Sequence, residues 1–256
     1  MTESLLLTAT QISTYDDQRL LTKASAFFFS RAERLFIVTS RHVLIDEPTK
    51  HFPSRVEIEL HTDEANLTQS VQYSVLLYRD GKSVWSQGTD AAGEIDVAVL
   101  ELDRSALPET LVMRAFTPEH LQDSLKDIEV GTPLLILGFP LSFHDTLHHL
   151  PVVRQAIIAS SFGLRFQGQG YFLTDARTHR GTSGAPVVMR ASGSEVRGTD
   201  LPWKLLGVHS ARLDMETREP EKDESLGLNL AWYADILLTL TDPSSRSLAD
   251  IPSLLA

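Results

Sequence analysis

The stretch Arg180-Gly181-Thr182-Ser183-Gly184-Ala185-Pro186, running on into Val187-Val188-Met189, sets one serine between two glycines at the mouth of an apolar run. A serine hydroxyl is a weak nucleophile until a base removes its proton, and the oxyanion it forms needs donors. Flanking glycines let the backbone turn sharply enough to aim N–H groups at that charge. Ser and Gly are also ordinary turn residues, so the rest of the chain must supply a base and a carboxylate.

Working outward, short strand-like runs recur with turn residues between them. Ala24 to Phe29 and Leu35 to Thr39 are apolar and rich in aromatic and β-branched residues. Val56, Ile58 and Leu60 alternate with polar neighbours, the mark of a half-buried strand. Similar runs cover Val71 to Tyr78, Ile95 to Leu102, Leu134 to Leu137, Val152 to Ala159, Tyr171 to Leu173, Ala185 to Met189 and Leu205 to Val208. So many strands with so few helices predict an all-β barrel or sandwich. Two helices are expected. One covers Pro118 to Lys126. The other covers Ala231 to Leu240, with Asn229 as N-cap and Trp232, Ile236 and Leu240 on one stripe. The charged segment Asp214 to Ser225 reads as a solvated loop. The weak pattern between about 105 and 132 suits a linker, and the Pro- and Ser-containing end from Asp242 reads as a tail.

Composition narrows the function. The chain has 256 residues, 42% of them hydrophobic, enough for one large β domain or two small subdomains. A net charge of −11 disfavours nucleic acid and anionic membrane surfaces as partners. No apolar run is long enough to span a bilayer, and the N-terminus lacks the basic region of a secretory signal. With Met1 at its start, the expectation is a complete cytoplasmic product. The absence of cysteine removes disulfides, thiolate metal ligands and a thiol nucleophile, and it fits a reducing compartment.

A base and a carboxylate have candidates upstream of Ser183. His42 follows the apolar strand Leu35-Phe36-Ile37-Val38-Thr39, which would hold its imidazole at a strand end. Asp96 opens the apolar run Val97-Ala98-Val99-Leu100, where a carboxylate is costly unless paired. A satisfied core histidine and a solvent-facing strand-edge aspartate are the plainer readings of the two. Taken together with the serine loop, three motifs stand in the order His, Asp, Ser. They are Val38-Thr39-Ser40-Arg41-His42-Val43, Asp96-Val97-Ala98-Val99-Leu100 and Gly181-Thr182-Ser183-Gly184-Ala185-Pro186. Gly138-Phe139-Pro140, Thr174-Asp175-Ala176 and Leu206-Gly207-Val208-His209-Ser210 accompany them.

In these motifs the chain resembles the trypsin-like serine peptidases of the chymotrypsin-fold clan, in the cysteine-free bacterial form of the HtrA-type and glutamyl-endopeptidase branches. The resemblance spans roughly residues 20 to 240. It implies two six-stranded antiparallel β-barrels, at about 20–115 and 130–228, with a C-terminal helix at 229–241 and a tail at 242–256. It implies a serine endopeptidase acting on protein or peptide substrates without a cofactor. Ser183 would be the nucleophile, His42 the base, Asp96 its orienting partner, and the N–H groups of Gly181 and Ser183 the oxyanion hole. The Ser210 hydroxyl would bond Asp96 from behind, and the residues after it would pair with substrate. An α/β-hydrolase elbow is disfavoured, because Ala185 stands where G-x-S-x-G needs its last glycine.

Three further residues bear on control and specificity. Thr182 cannot make the aspartate ion pair of zymogen-type relatives, so activity is expected without propeptide cleavage and under control of loop order or a partner. Thr178 and His209 match the hydroxyl and imidazole that glutamyl endopeptidases place against an acidic side chain. The plainer reading leaves His209 packing beside the aspartate. Arg212, where relatives often have glycine, could narrow the cleft. His144, His148 and His149 have spacing that a metal could use on a helix, but between Pro140 and Pro151 they read as a surface loop. The alternative function is a protease-fold regulatory module, latent until a partner triggers it.

Overall fold

The computed structural model describes residues 2–122, 128–191, 201–214 and 225–243. They form two antiparallel β halves. The first holds β1 (Ala9–Asp16), β2 (Arg19–Arg31), β3 (Arg34–Thr39), the single helical turn α1 (Arg41–Leu44), β4 (Arg55–His61) and β5 (Ser70–Leu76). A small hairpin of β6 (Tyr78–Arg79) and β7 (Lys82–Ser83) follows, then β8 (Trp85–Asp90) and β9 (Gly93–Leu102). Seven of these strands make one sheet in the order β5-β4-β1-β2-β3-β9-β8. The second half holds β10 (Pro133–Gly138), β11 (Val152–Ile158), β12 (Tyr171–Asp175), β13 (Pro186–Arg190), β14 (Trp203–Asp214), β15 (Ser225–Tyr233) and the short helix α2 (Ile236–Leu240). Its strands close into a six-stranded barrel, β10-β11-β12-β15-β14-β13. The expected all-β chymotrypsin-like class is the one observed, with the closed barrel in the second half and a seven-stranded sheet in the first.

Three apolar cores hold this arrangement. Ile12, Phe28, Leu35, Ile37, Val56, Ile58, Leu60, Trp85 and Leu100 fill the first half. Leu134, Ile136, Ile158, Phe172, Val187 and Leu206 fill the second. The third core is the seam. Phe27, Phe29, Phe36, Val38, Val97 and Val99 come to it from β2, β3 and β9, and Val188, Val208, Trp232, Leu237 and Leu240 meet them from the other side. In β2 and β3 successive residues point to opposite faces, so one strand feeds both its own core and the seam. This is why these runs read as continuously apolar instead of alternating.

The sequence reading departs from the structure in identifiable places. The first half begins at Ala9, not near residue 20. β1 escapes detection because Ile12 stands between hydroxyls on its own face: Thr10 donates to the Glu59 carbonyl, and Thr14 meets the Thr22 hydroxyl at 2.9 Å. β8 escapes because Trp85-Ser86-Gln87-Gly88-Thr89-Asp90 has little apolar character. The helix expected over 229–241 is corrected: β15 runs to Tyr233 and only Ile236–Leu240 is helical. Trp232, Ile236 and Leu240 mimic a helical stripe because the strand and the short helix both present these residues to the seam. Asn229 caps no helix; it lies in β15, paired with Thr174. Of the helix expected over Pro118 to Lys126, Pro118–His120 is one 3-10 turn and residues 123–127 lie outside the described residues. So do most of the expected 214–225 loop and, from residue 244, the tail.

The expected linker is also more ordered than a tether. Val112 donates its N–H to the His61 carbonyl, Arg114 to Leu7 and Phe116 to Phe28, and Ser30 donates back to Phe116 at 2.7 Å. Phe116 is fully buried, edge-on to Phe27.

Candidate active site

The site forms where the end of β3 meets the start of β9. Thr39 pairs with Ala98, so the chain leaving β3 passes Asp96 as it turns into α1. His42 donates its backbone N–H to Asp96 Oδ1 at 2.8 Å, and its Nδ1 lies 2.7 Å from Asp96 Oδ2. One carboxylate thus fixes both the main chain and the ring of the histidine. Burial pulls the imidazole pKa down, but the hydrogen bond and charge of Asp96 outweigh it and leave His42 above its ordinary value. Ser210, on β14 of the other half, donates its hydroxyl to Asp96 Oδ2 at 2.5 Å.

Ser183 lies in the loop between β12 and β13. Its hydroxyl donates to the Ser210 carbonyl at 2.9 Å. The structure therefore brings His42 and Ser210 onto Asp96 and ties Ser183 to them through Ser210. No hydrogen bond joins the Ser183 hydroxyl to His42 among the described residues.

The loop around Ser183 is held carbonyl by carbonyl. The Arg180 carbonyl accepts from Leu141 N–H (2.6 Å), Thr182 from Ala185 N–H (3.0 Å) and Ser183 from Ser25 N–H (2.9 Å). The Gly181 carbonyl accepts from the Ser25 hydroxyl at 2.8 Å. In a trans peptide the N–H points opposite to the carbonyl, so these bonds also set the N–H directions. The N–H groups of Gly181 and Ser183 donate to nothing within the described residues. Gly181 has φ +90°, and a Cβ there would sit 2.6 Å from the Phe139 carbonyl. Gly184 has φ +83°, and a Cβ there would sit 2.2 Å from the Ser25 carbonyl. Both glycines are required by conformation and by space. Thr182 is buried, and its hydroxyl finds no partner.

The expected specificity residues adjoin β15. Thr178 is buried, with its hydroxyl donating to Asn229 Oδ1. The Asn229 amide donates to the carbonyls of Ala176 (2.8 Å) and Thr174 (3.3 Å). His209 is 2% exposed. Desolvation, aided by the nearby His42, lowers its pKa to about 4, so the ring is neutral at pH 7. Its Nδ1 has no partner. Arg212 is exposed and pairs across to Asn229 through the strand.

His144, His148 and His149 lie in the loop between β10 and β11 and turn to separate partners. His144 Nδ1 meets the Ser142 carbonyl, and His148 Nδ1 meets Asp145, each at 2.7 Å. Among the described residues no group of three such side chains could hold a metal ion, and no helix is long and apolar enough to cross a membrane. Sequence reasoning missed Ser25 and misread Asn229. Ser25 left one signal: it is the single polar residue in Ala24-Ser25-Ala26-Phe27-Phe28-Phe29.

A family model described as a trypsin-like peptidase domain matches residues 24–196. No curated protein matches the chain. Among solved structures, a serine endoprotease from Yersinia pestis is 16% identical with a TM-score of 0.53, over 94% of this chain and 64% of that one. This chain therefore spans less than two thirds of the Yersinia protein. An HtrA-type protease solved with a decapeptide is 17% identical, TM-score 0.52, over 93% of this chain and 63% of that one. A scabies mite inactivated protease paralogue is 18% identical, TM-score 0.55, over 96% of this chain and 97% of that one. At such identities the likeness concerns the fold.

Proposed function

Since this chain belongs to the trypsin-like peptidase domain family, we propose that it is a serine endopeptidase in which Ser183 attacks, His42 carries the proton and Asp96 orients the ring. The observation that carries this reading is the meeting of the His42–Asp96 pair with a serine loop whose Gly181 and Ser183 N–H groups are unclaimed. In this reading the Ser183 hydroxyl leaves the Ser210 carbonyl for the free nitrogen of the His42 ring when substrate binds. Hydrogen bonds of this kind are often long or unmade before substrate arrives. Ser183 Oγ then bonds to the peptide carbonyl carbon as its proton passes to His42. The oxyanion accepts from the Gly181 and Ser183 N–H groups, each worth about 3 kcal/mol in such sites. His42 delivers the proton to the leaving amine, and water releases the acyl group by the reverse path. Asp96, held by Ser210, stabilises the imidazolium throughout.

The finer specificity is a preference for an acidic residue before the scissile bond. Its support is the Thr178–Asn229 hydrogen bond at β15 and, on the adjoining strand β14, His209 with an imidazole nitrogen that has no partner. His209 is neutral before substrate binds, so the attraction depends on the entering carboxylate drawing a proton onto the ring. A peptide library decides it: cleavage after Glu or Asp is expected, and equal cleavage after Leu or Arg removes the preference while leaving the peptidase.

The protease reading is tested with a fluorophosphonate probe on the folded chain. Attachment at Ser183, lost in Ser183→Ala, is expected. A folded protein that neither takes the probe nor cleaves any peptide ends it. The second reading, a latent module awaiting a recruiting protein, is favoured by one observation: the Ser183 hydroxyl is engaged by Ser210 instead of His42. Labelling that appears only when peptide or a partner is added supports it.

A further inference from the structure

Something other than an ion pair at Thr182 must order the oxyanion loop, and the geometry points to Ser25. We infer that Ser25 is a positioning residue whose hydroxyl and backbone hold the loop in its cleavage-competent form. The inference rests on the peptidase reading and names what regulates loop order within it.

Ser25 lies in β2 of the first half, fully buried. Its hydroxyl accepts from the Phe139 N–H at 3.0 Å and donates to the Gly181 carbonyl at 2.8 Å. Its N–H donates to the Ser183 carbonyl at 2.9 Å, and its own carbonyl accepts the Thr39 hydroxyl at 2.8 Å. One residue therefore fixes the peptide planes leaving Gly181 and Ser183, on either side of the nucleophile. It also ties them to the Gly138-Phe139-Pro140 turn, whose neighbour Leu141 fixes the Arg180 carbonyl. The Gly181 and Ser183 N–H groups belong to the adjoining peptides, whose Arg180 and Thr182 carbonyls accept from Leu141 and Ala185, so Ser25 braces the donors from the peptides next to theirs. The surrounding glycines fit this knot. A Cβ on Gly138 would stand 2.6 Å from the Ser25 hydroxyl oxygen, and a Cβ on Gly184 2.2 Å from the Ser25 carbonyl. Thr182 contributes no side-chain hydrogen bond, as its hydroxyl is buried and unpartnered.

Losing the hydroxyl frees the Gly181 carbonyl and strands the Phe139 N–H. The Gly181–Thr182 peptide, which lies between the two peptides that carry the Gly181 and Ser183 N–H groups, can then rotate, and the donors on either side of it lose that brace. That loss falls on the transition state, not on substrate docking. A merely structural serine would lower thermal stability and leave turnover of the folded fraction unchanged.

The experiment compares the parent with Ser25→Ala and Ser25→Cys, which keeps the shape with a weaker donor. The readouts are kcat and KM on a cleaved peptide, affinity for a peptide aldehyde against a non-reactive peptide alcohol, and the melting temperature. Ser25→Ala is expected to lose about tenfold in kcat, the scale of one hydrogen bond, with KM near the parent value. Aldehyde affinity should fall by a similar factor while alcohol affinity holds. Ser25→Cys should fall between the two. If Ser25→Ala does not fold, Ser25→Cys carries the test, with a loss in kcat of about threefold at parental KM expected. A folded variant with parental kcat and parental aldehyde affinity overturns the inference. A parent that neither cleaves peptide nor takes the fluorophosphonate probe overturns the peptidase reading instead.

Discussion

At the scale of single residues, His42 and His209 titrate in opposite senses although both belong to one site. Asp96 raises His42, so its base form predominates only above a pH higher than the ordinary 6.5. The rate of probe attachment to Ser183 should therefore rise along a limb whose midpoint lies above 6.5; a midpoint at or below that value removes the His42–Asp96 coupling from the mechanism. For stability, the raised His42 favours the folded state below its unfolded pKa, and that benefit is lost as pH rises through the folded value. His209 does the reverse. Held neutral in the fold down to about 4, it takes a proton in the unfolded chain near 6.5. Stability is thus lost as pH falls between those values, by about 3 kcal/mol in full. Replacing it in His209→Gln should flatten the decline in melting temperature between pH 6.5 and 4. An unchanged slope would mean that His209 is not kept neutral. Residue types and their order made His42, Asp96 and Ser183 legible in the sequence as candidates. Ser25 and Asn229 were not, because their roles lie in hydrogen bonds to backbone groups far along the chain.

At the scale of elements, what the sequence disclosed depended on what each strand buries. β4 announces itself because Val56, Ile58 and Leu60 face the core while Glu57 and Glu59 do not. β1 is silent because threonines do the same work through hydroxyls. β15 and α2 were merged because a bend at Ala234 and Asp235 leaves no mark in a pattern of apolar residues that all reach the seam. The serine loop is the opposite case, where glycine placement discloses conformation directly. Gly184→Ala forces an L side chain into φ +83° and drives its Cβ against the Ser25 carbonyl. The conformational cost alone is about 1–2 kcal/mol, and the clash must also displace β2 or the loop. The variant should lose more than that from its urea unfolding free energy and lose probe labelling even at low temperature. Parental labelling would mean that the loop tolerates another path.

At the scale of the whole molecule, the candidate site exists only while the two halves stay docked. His42 and Asp96 come from the first half, and Ser183 and Ser210 from the second. The halves are joined by the seam core, by Arg165–Asp90 at 2.6 Å and by Arg34 and Arg31, which donate to carbonyls at the C-terminal end of α2. Cations suit that end of a helix, so α2 acts as a strap from the second half onto the first. Because residues of both halves share one buried core, opening either half exposes apolar surface belonging to the other, and unfolding should be a single transition. The tryptophans can report this. Trp85 lies in the first-half core, whereas Trp203 and Trp232 lie on or against the seam. Trp85 alone, and the other two without it, should give coincident urea midpoints, matching the loss of probe labelling. Phe116→Ala removes an aromatic ring from the seam and should lower stability by about 3–5 kcal/mol. It should shift all three midpoints together, since the ring packs where both halves meet. Separate midpoints for the two tryptophan sets would show that the halves fold independently, and that docking, not folding, assembles the site.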